Sequence, residues 1–232
     1  MILSVYNKKG GVGKTTSAIV IASILAKKHG KKVILIDLDM QGDMNTGMSV
    51  PNENPDNNIW NAIFKERKLL FDKIHDNLII VNGSPKMSDT SFLKELNSDP
   101  GLKYVHQLQV FKTLFDKYRE KCDFMILDCP PSADIIVQNA LMASDYVLIP
   151  TKPHNFDVNG AASALTMIKE MKSQAGAHIE PLGIFFTQWD SRTNLHQEIK
   201  EDLIKKAGKL VFKNHIRQNT RLQEMTTMAK DL

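Results

Sequence analysis

A run of apolar residues, Ile2–Tyr6, leads directly into Asn7-Lys8-Lys9-Gly10-Gly11-Val12-Gly13-Lys14-Thr15-Thr16, and a helical pattern begins at about residue 14. A strand, a glycine-rich turn and a helix in that order constrain the fold more than any other feature of the chain. Glycines adopt backbone angles that side chains oppose, so successive N–H groups can turn inward around phosphate oxygens. The helix adds unpaired N–H groups and its positive end to the same anion. Gly10, Gly11, Val12, Gly13, Lys14, Thr15 and Thr16 are therefore expected to bind the phosphates of ATP. Lys14 should reach the β- and γ-phosphates, and the Thr15 hydroxyl should ligate Mg²⁺. One position departs from the ordinary pattern: Lys8 stands where the first glycine is expected.

The rest of the chain supports a sheet behind that loop. Short β-branched runs at Ile2–Tyr6, Lys32–Asp37, Leu78–Val81, Phe124–Asp128, Tyr146–Ile149 and Leu182–Phe186 alternate with amphipathic stretches. The strands are nearly all apolar, as parallel strands buried on both faces are. A weaker pair is expected at Leu210–Phe212 and His215–Ile216. Helices are expected at about 14–29, 102–120, 133–143, 155–174, 192–207 and 219–230. The stretch 40–60 is rich in Gly, Asn, Asp and Pro and reads as loop. With 232 residues and no evident linker, the expectation is a single α/β domain over 1–232. It would be a P-loop fold whose mostly parallel, twisted sheet of about 7–8 strands is covered by helices on both faces.

Two strand ends carry acids. Lys32–Asp37 ends in Asp37-Leu38-Asp39, and alternation along an extended chain places Asp37 and Asp39 on one side of the sheet's carboxyl edge. Acids gathered there are costly unless cations or water satisfy them. Phe124–Leu127 delivers Asp128 in the Walker B arrangement, with the carboxylate holding Mg²⁺ directly or through water. Pro130 and Pro131 would fix the loop that follows.

Bulk properties exclude several classes. No apolar run approaches the roughly 20 residues that span a bilayer, and no leader with a cleavage site precedes the first strand, so a cytoplasmic protein is expected. Cys122 and Cys129 flank one strand and read as small core residues, without further Cys or His at ligand spacing. The net charge of +4 is concentrated: residues 192–232 hold nine Lys/Arg against five Asp/Glu. That segment is either a polyanion-binding face or a solvated helix surface.

The loop Lys9–Thr16 resembles the deviant phosphate loop of the ParA/MinD family of ATPases. Asp37-Leu38-Asp39-Met40-Gln41-Gly42-Asp43 resembles that family's D-x-D-x-Q-G element, with Met40 and Asp43 departing from its commoner residues. Asp128-Cys129-Pro130-Pro131-Ser132 resembles its switch segment. Further resemblance lies in Asp190-Ser191-Arg192-Thr193-Asn194-Leu195 and in Ile216-Arg217-Gln218-Asn219-Thr220-Arg221-Leu222-Gln223-Glu224, which are similar to elements of plasmid and chromosome partition ATPases. The resemblance implies ATP hydrolysis with Mg²⁺, Asp39 orienting or activating the attacking water, and Asp37 near the metal. It also implies a homodimer closed around ATP, in which Lys9 reaches the partner's phosphates. A cation at the loop entrance is placed for that task if two sites face each other.

In such partition ATPases, arginines matching Arg192 and Arg221 contact duplex DNA without sequence preference, and a ParB-like centromere-binding protein stimulates turnover. A nucleoid-associated protein is the implication. Neither arginine has an obvious acid nearby in the sequence. Lys205, Lys206, Lys209 and Lys213 are possible supporting cations. Gln188 and Arg217 are candidates for the adenine pocket by topology, with a plain turn role as the alternative. A MinD-like membrane switch is the rival within the family, but the last residues lack the bulky apolar and basic faces of an interfacial helix. A nucleotide-dependent scaffold with negligible hydrolysis is a second rival. A nitrogenase-type iron protein, a tyrosine kinase and a cobyrinate-type ligase are disfavoured. Their grounds are the cysteine placement, the missing C-terminal tyrosines and the missing glutaminase domain. The closeness of residue 10 to Met1 leaves no space for an N-terminal helix-turn-helix.

Overall fold

The strands are β1 (Ile2–Val5), β2 (Val33–Asp37), β3 (Asp72–His75), β4 (Leu78–Val81), β5 (Phe124–Asp128), β6 (Tyr146–Thr151) and β7 (Glu180–Phe186). In this computed structural model, which describes residues 1–42, 44–48, 54–99 and 106–219, they form one seven-stranded sheet ordered β3-β4-β2-β5-β1-β6-β7. All neighbours run parallel except β3 and β4. The helices among the described residues are α1 (Lys14–His29), α2 (Met44–Met48), α3 (Ile59–Phe64), α4 (Asp89–Ser98), α5 (Val110–Phe115), α6 (Ile135–Ala143), α7 (Asn155–Ala175) and α8 (Asn194–Ala207).

Strand alternation sorts the apolar residues into two layers. Val5, Val33, Leu35, Leu78, Ile80 and Ile126 face α1, whose Ala18, Ile19, Ala22 and Ala26 cover them. Their neighbours Ile34, Ile36, Val81, Met125, Leu127, Val147 and Ile149 face the opposite way, into a larger core with residues of α3 to α8. Both faces of the central strands are thus dry, which is why their sequences read as unbroken apolar runs.

Helix ends follow local chemistry. Gly30 terminates α1 at φ 61, and its N–H is donated to the Leu25 carbonyl. The Asp134 carboxylate caps α6 by accepting from the Ile136 and Val137 N–H groups.

Several expected elements shift. The stretch 40–60 is not all loop: it holds α2 and the start of α3, with Met44, Ile59 and Trp60 buried. Strand β3 and helix α4 were not anticipated, because β3 is an edge strand with alternate residues exposed and no apolar run. The expected helix at 102–120 is confined, among its described residues, to α5 and a 3₁₀ turn at Asp116–Tyr118. The weak pair near 210–216 forms single bridges, Ile184 to Val211 and Trp189 to Arg217, in place of strands. The helix expected at 219–230, and Arg221 with it, lies outside the described residues apart from Asn219.

Candidate functional site

The sheet order brings β1 between β5 and β6, so the chain leaving β1 emerges at the edge where strand order reverses. Open α/β sheets bind ligands there. Gly11 and Gly13 take φ values of 68 and 87, so a side chain at either would be strained. Gly13 is the residue before α1, and its carbonyl accepts the Ser17 N–H at 3.0 Å.

Three anchors fix the loop from its flanks. Asn7 is fully buried; its Nδ2 donates to the Pro150 carbonyl at 2.8 Å and its Oδ1 accepts the Lys9 N–H at 3.0 Å. The Thr187 hydroxyl donates to the Val12 carbonyl at 2.9 Å. The Tyr6 hydroxyl donates to the Ser132 carbonyl at 2.7 Å, tying the root of the loop to the segment after Asp128. None of these three was singled out from the sequence. Asn7 carried a signal, since a polar residue between an apolar strand and a glycine turn must find partners once buried.

Helix α7 approaches the same loop through Gly160, where a Cβ would stand 2.4 Å from Asn7 Oδ1 and 2.7 Å from Lys9 Cγ. Gly160→Ala should therefore displace the Asn7 amide and loosen the loop, at a cost of about 1–3 kcal/mol. Thermal unfolding should fall by several degrees, whereas Gly10→Ala, where a Cβ meets nothing within 4 Å, should leave it unchanged. Equal unfolding temperatures for the two variants would contradict the packing argument.

The acids converge behind the loop. Asp37 and Asp128 are Cα partners across β2 and β5, and each is 1% exposed. Asp37 Oδ1 accepts the Asp39 N–H at 2.9 Å and Oδ2 the Met44 N–H at 3.4 Å. Burial, and then the neighbouring Asp128 charge, hold the Asp37 carboxyl well above the usual carboxylate range. Asp39 is half-buried at the mouth. Gly83 closes in from β4's end, where a Cβ would be 2.6 Å from the Asp39 carbonyl.

Lys14 is buried, and its ammonium donates to the Lys9 carbonyl at 3.0 Å. Burial lowers its pKa, and the charges of Asp128, Cys129 and Asp39 oppose that shift. Lys14 thus lies beside both acidic strand ends. Cys129 is a buried core thiol pushed up to about 12 by desolvation, as its core assignment expected.

This donor set fits a magnesium-bound polyphosphate. It offers hard oxygens from Thr15, Asp37 and Asp128, and a divalent cation would offset the charge that burial penalises at Asp37. Among the described residues there is no cluster of three or more His, Cys, Asp or Glu able to hold a metal without such help. That is the usual situation for Mg²⁺ bound together with substrate phosphates.

Towards the C-terminus the expectations divide. Trp189 donates its N–H to the Ile216 carbonyl and accepts the Gln218 N–H, both at 3.0 Å, so Gln188 and Arg217 come together. Gln188 sits at φ 53, and its Nε2 reaches the Gly11 carbonyl at 3.4 Å. Arg217 is exposed. Beside them an apolar cleft of about 300 Å³ runs along the start of α1, lined by Thr16, Ser17, Val20, Phe185, Phe212 and Ile216. Its apolar lining comes from segments far apart in the chain, so no local pattern marked these residues.

The view that Arg192 has no acid nearby is corrected. Its guanidinium forks onto Asp190, two residues earlier, at 3.0 and 2.8 Å, with the arginine side chain 90% exposed. In the turn between β7 and α8 the Asp190 Oδ1 also accepts the Arg192 backbone N–H at 3.0 Å, which holds the pair together. Lys200 lies over the Trp189 ring at 5.4 Å and Lys205 pairs with Asp202, so part of the basic segment is already engaged.

A family model described as an AAA domain matches residues 1–180. The chain is 32% identical over 218 residues to the chromosome-partitioning ATPase Soj of Treponema pallidum, covering 94% of this chain and 83% of that protein. Its fold is similar to that of apo McdA from Cyanothece, with a TM-score of 0.83 at 19% identity over 99% of this chain and 90% of that one. It is also similar to cobyrinic acid a,c-diamide synthase from Mycobacterium smegmatis with bound ADP and magnesium, at TM-score 0.79 and 22% identity, covering 98% of this chain and 91% of that one.

Proposed function

Because the chain belongs to the ParA/Soj family of partition ATPases, we propose that it is an ATP-dependent dimerising switch that binds DNA without sequence preference in its ATP state and drives plasmid or chromosome partition. The observation that carries the nucleotide chemistry is the pair Asp37 and Asp128, buried side by side where the glycine loop leaves β1.

In this proposal Gly10 to Thr16 cradle the phosphates and Lys14 exchanges its bond to the Lys9 carbonyl for phosphate oxygens. Thr15, Asp37 and Asp128 hold Mg²⁺, which when bound neutralises charge developing on the transferred phosphoryl group. Asp39, half-exposed at the mouth, accepts a proton from or orients the attacking water. Lys9 is exposed at the loop entrance, where it is free to serve a second protomer across a closed dimer. Gln188 and Arg217 border the base. The acids argue against a scaffold without turnover. Among the described residues no helix is long and apolar enough to cross a membrane.

Arg192 and Arg221 are proposed to contact DNA phosphates, and a ParB-like protein to stimulate hydrolysis in a cytoplasmic, nucleoid-associated cycle. The Asp190 fork uses only part of the five-donor guanidinium and holds it outward, leaving donors for a phosphate. The test is binding of arbitrary-sequence duplex DNA with ATP, ADP or no nucleotide at 50 and 200 mM salt. Wild type should bind tightly only with ATP, losing on the order of a hundredfold or more of affinity at the higher salt if several phosphates are contacted. Arg192→Ala/Arg221→Ala should abolish that binding while leaving ATP turnover without DNA in place. Binding of equal strength in every nucleotide state, or none at all, would sink the DNA switch and leave the ATPase core standing.

A further inference from the structure

The phosphate site as read from the sequence uses residues 8–16, 37–39 and 128, and leaves Lys152 unassigned. In the structure the Lys152 ammonium lies 3.6 Å from where a Cβ on Gly11 would stand. Gly11 is in the middle of the glycine loop at φ 68. A residue far along the chain thus places a cation beside the phosphate cradle.

The backbone that carries Lys152 is held on three sides. The Pro150 carbonyl accepts Asn7 Nδ2 at 2.8 Å, the Thr151 carbonyl accepts the Thr187 N–H at 2.8 Å, and the Lys152 carbonyl accepts the His154 N–H at 2.8 Å. Two of these donors, Asn7 and Thr187, are the residues that also anchor the loop itself. The end of β6 and the loop are therefore one fixed unit, and Lys152 is positioned relative to Gly11 by the framework. Lys152 is half-buried and belongs to no ion pair among the described residues.

Among the described residues the ammonium has no acid beside it to balance its charge, so an anion in the loop would complete it. The loop beneath it is built to hold a polyphosphate. A magnesium-bound triphosphate still carries roughly two negative charges, of which Lys14 offsets one. Lys9 is differently placed, with its Cγ against α7 at Gly160, so it does not duplicate this position.

The geometry points to Lys152 as a further nucleotide-binding residue, a second lysine that contacts the phosphate chain of the ATP held by its own protomer. The inference rests on the reading of the glycine loop as the ATP site. The experiment is isothermal titration of Mg²⁺–ATP and Mg²⁺–ADP into wild type, Lys152→Met, Lys152→Arg and Lys14→Ala. Lys152→Met keeps the bulk of the stem and removes the charge. It should weaken ATP binding about tenfold, as loss of one charge-assisted contact does. ADP, with less charge to match, should lose less. Lys152→Arg should recover most of the ATP affinity. Wild-type ATP affinity in Lys152→Met, with Lys14→Ala defective, would overturn this inference alone. Equal ATP binding by wild type and Lys14→Ala would overturn the ATP site and Lys152's role together.

Discussion

Replacing Lys14 by Ala should weaken ATP binding by about a hundredfold or more, close to 3 kcal/mol, and remove measurable hydrolysis. The side chain is buried at the centre of the site, its ammonium on the Lys9 carbonyl and its charge pulled by Asp128 and Asp39. Its loss removes a phosphate contact and a cation whose charge interacts with the acids at both strand ends. Lys14→Arg should not restore function, because a planar guanidinium cannot enter a pocket shaped around a single ammonium beside Gly13 and Thr15. The measurement is ATP titration with turnover of the purified variants. Retention of ATP affinity within threefold in Lys14→Ala would overturn the assignment of this loop as the ATP site.

Contiguous motifs were legible in the chain. Ile2–Tyr6 and the glycine loop, Asp37 with Asp39, and Phe124 to Asp128 announce themselves because their chemistry is local: each is a short run whose residues act within a few positions of one another. The central strands were readable for a related reason, since burial on both faces leaves no polar interruption. What escaped are contacts that depend on topology. The hold of Asn7 on Pro150, of Thr187 on Val12 and of Tyr6 on Ser132 join segments more than a hundred residues apart. Gly160 and Gly83 owe their importance to what packs against them, which no local pattern encodes. Edge strand β3 was hidden because one exposed face erases the apolar run. Arg192 was misjudged because sequence distance was read without the turn that folds it back on Asp190.

The second large effect concerns the acidic pair and has opposite signs for stability and activity. Asp37 and Asp128 are buried on adjacent strands, and both burial and the Asp128 charge raise the Asp37 pKa. The folded, metal-free protein therefore holds this proton more tightly than the unfolded chain, whose carboxyl titrates near 3.8. The stabilisation is fully present below that value and is lost as pH rises through the raised folded value, so at neutral pH the buried carboxyl pair costs the fold stability. Asp37→Asn should relieve that penalty. Its carbonyl oxygen can still accept the Asp39 N–H, and only the longer 3.4 Å contact from the Met44 N–H is given up. Without magnesium and nucleotide, the variant should gain about 1–4 kcal/mol at neutral pH, read as an unfolding temperature several degrees higher. The gain should shrink as pH is lowered towards 4. With Mg²⁺ and ATP the order should invert: wild type should be stabilised strongly and the variant much less, with hydrolysis lower by about 10²–10³-fold. Unfolding curves across pH, with and without Mg²⁺–ATP, decide the matter. A metal-free Asp37→Asn protein that melts below wild type at neutral pH would show that the carboxylates are already compensated within the protein. The metal would then contribute to catalysis without relieving the fold.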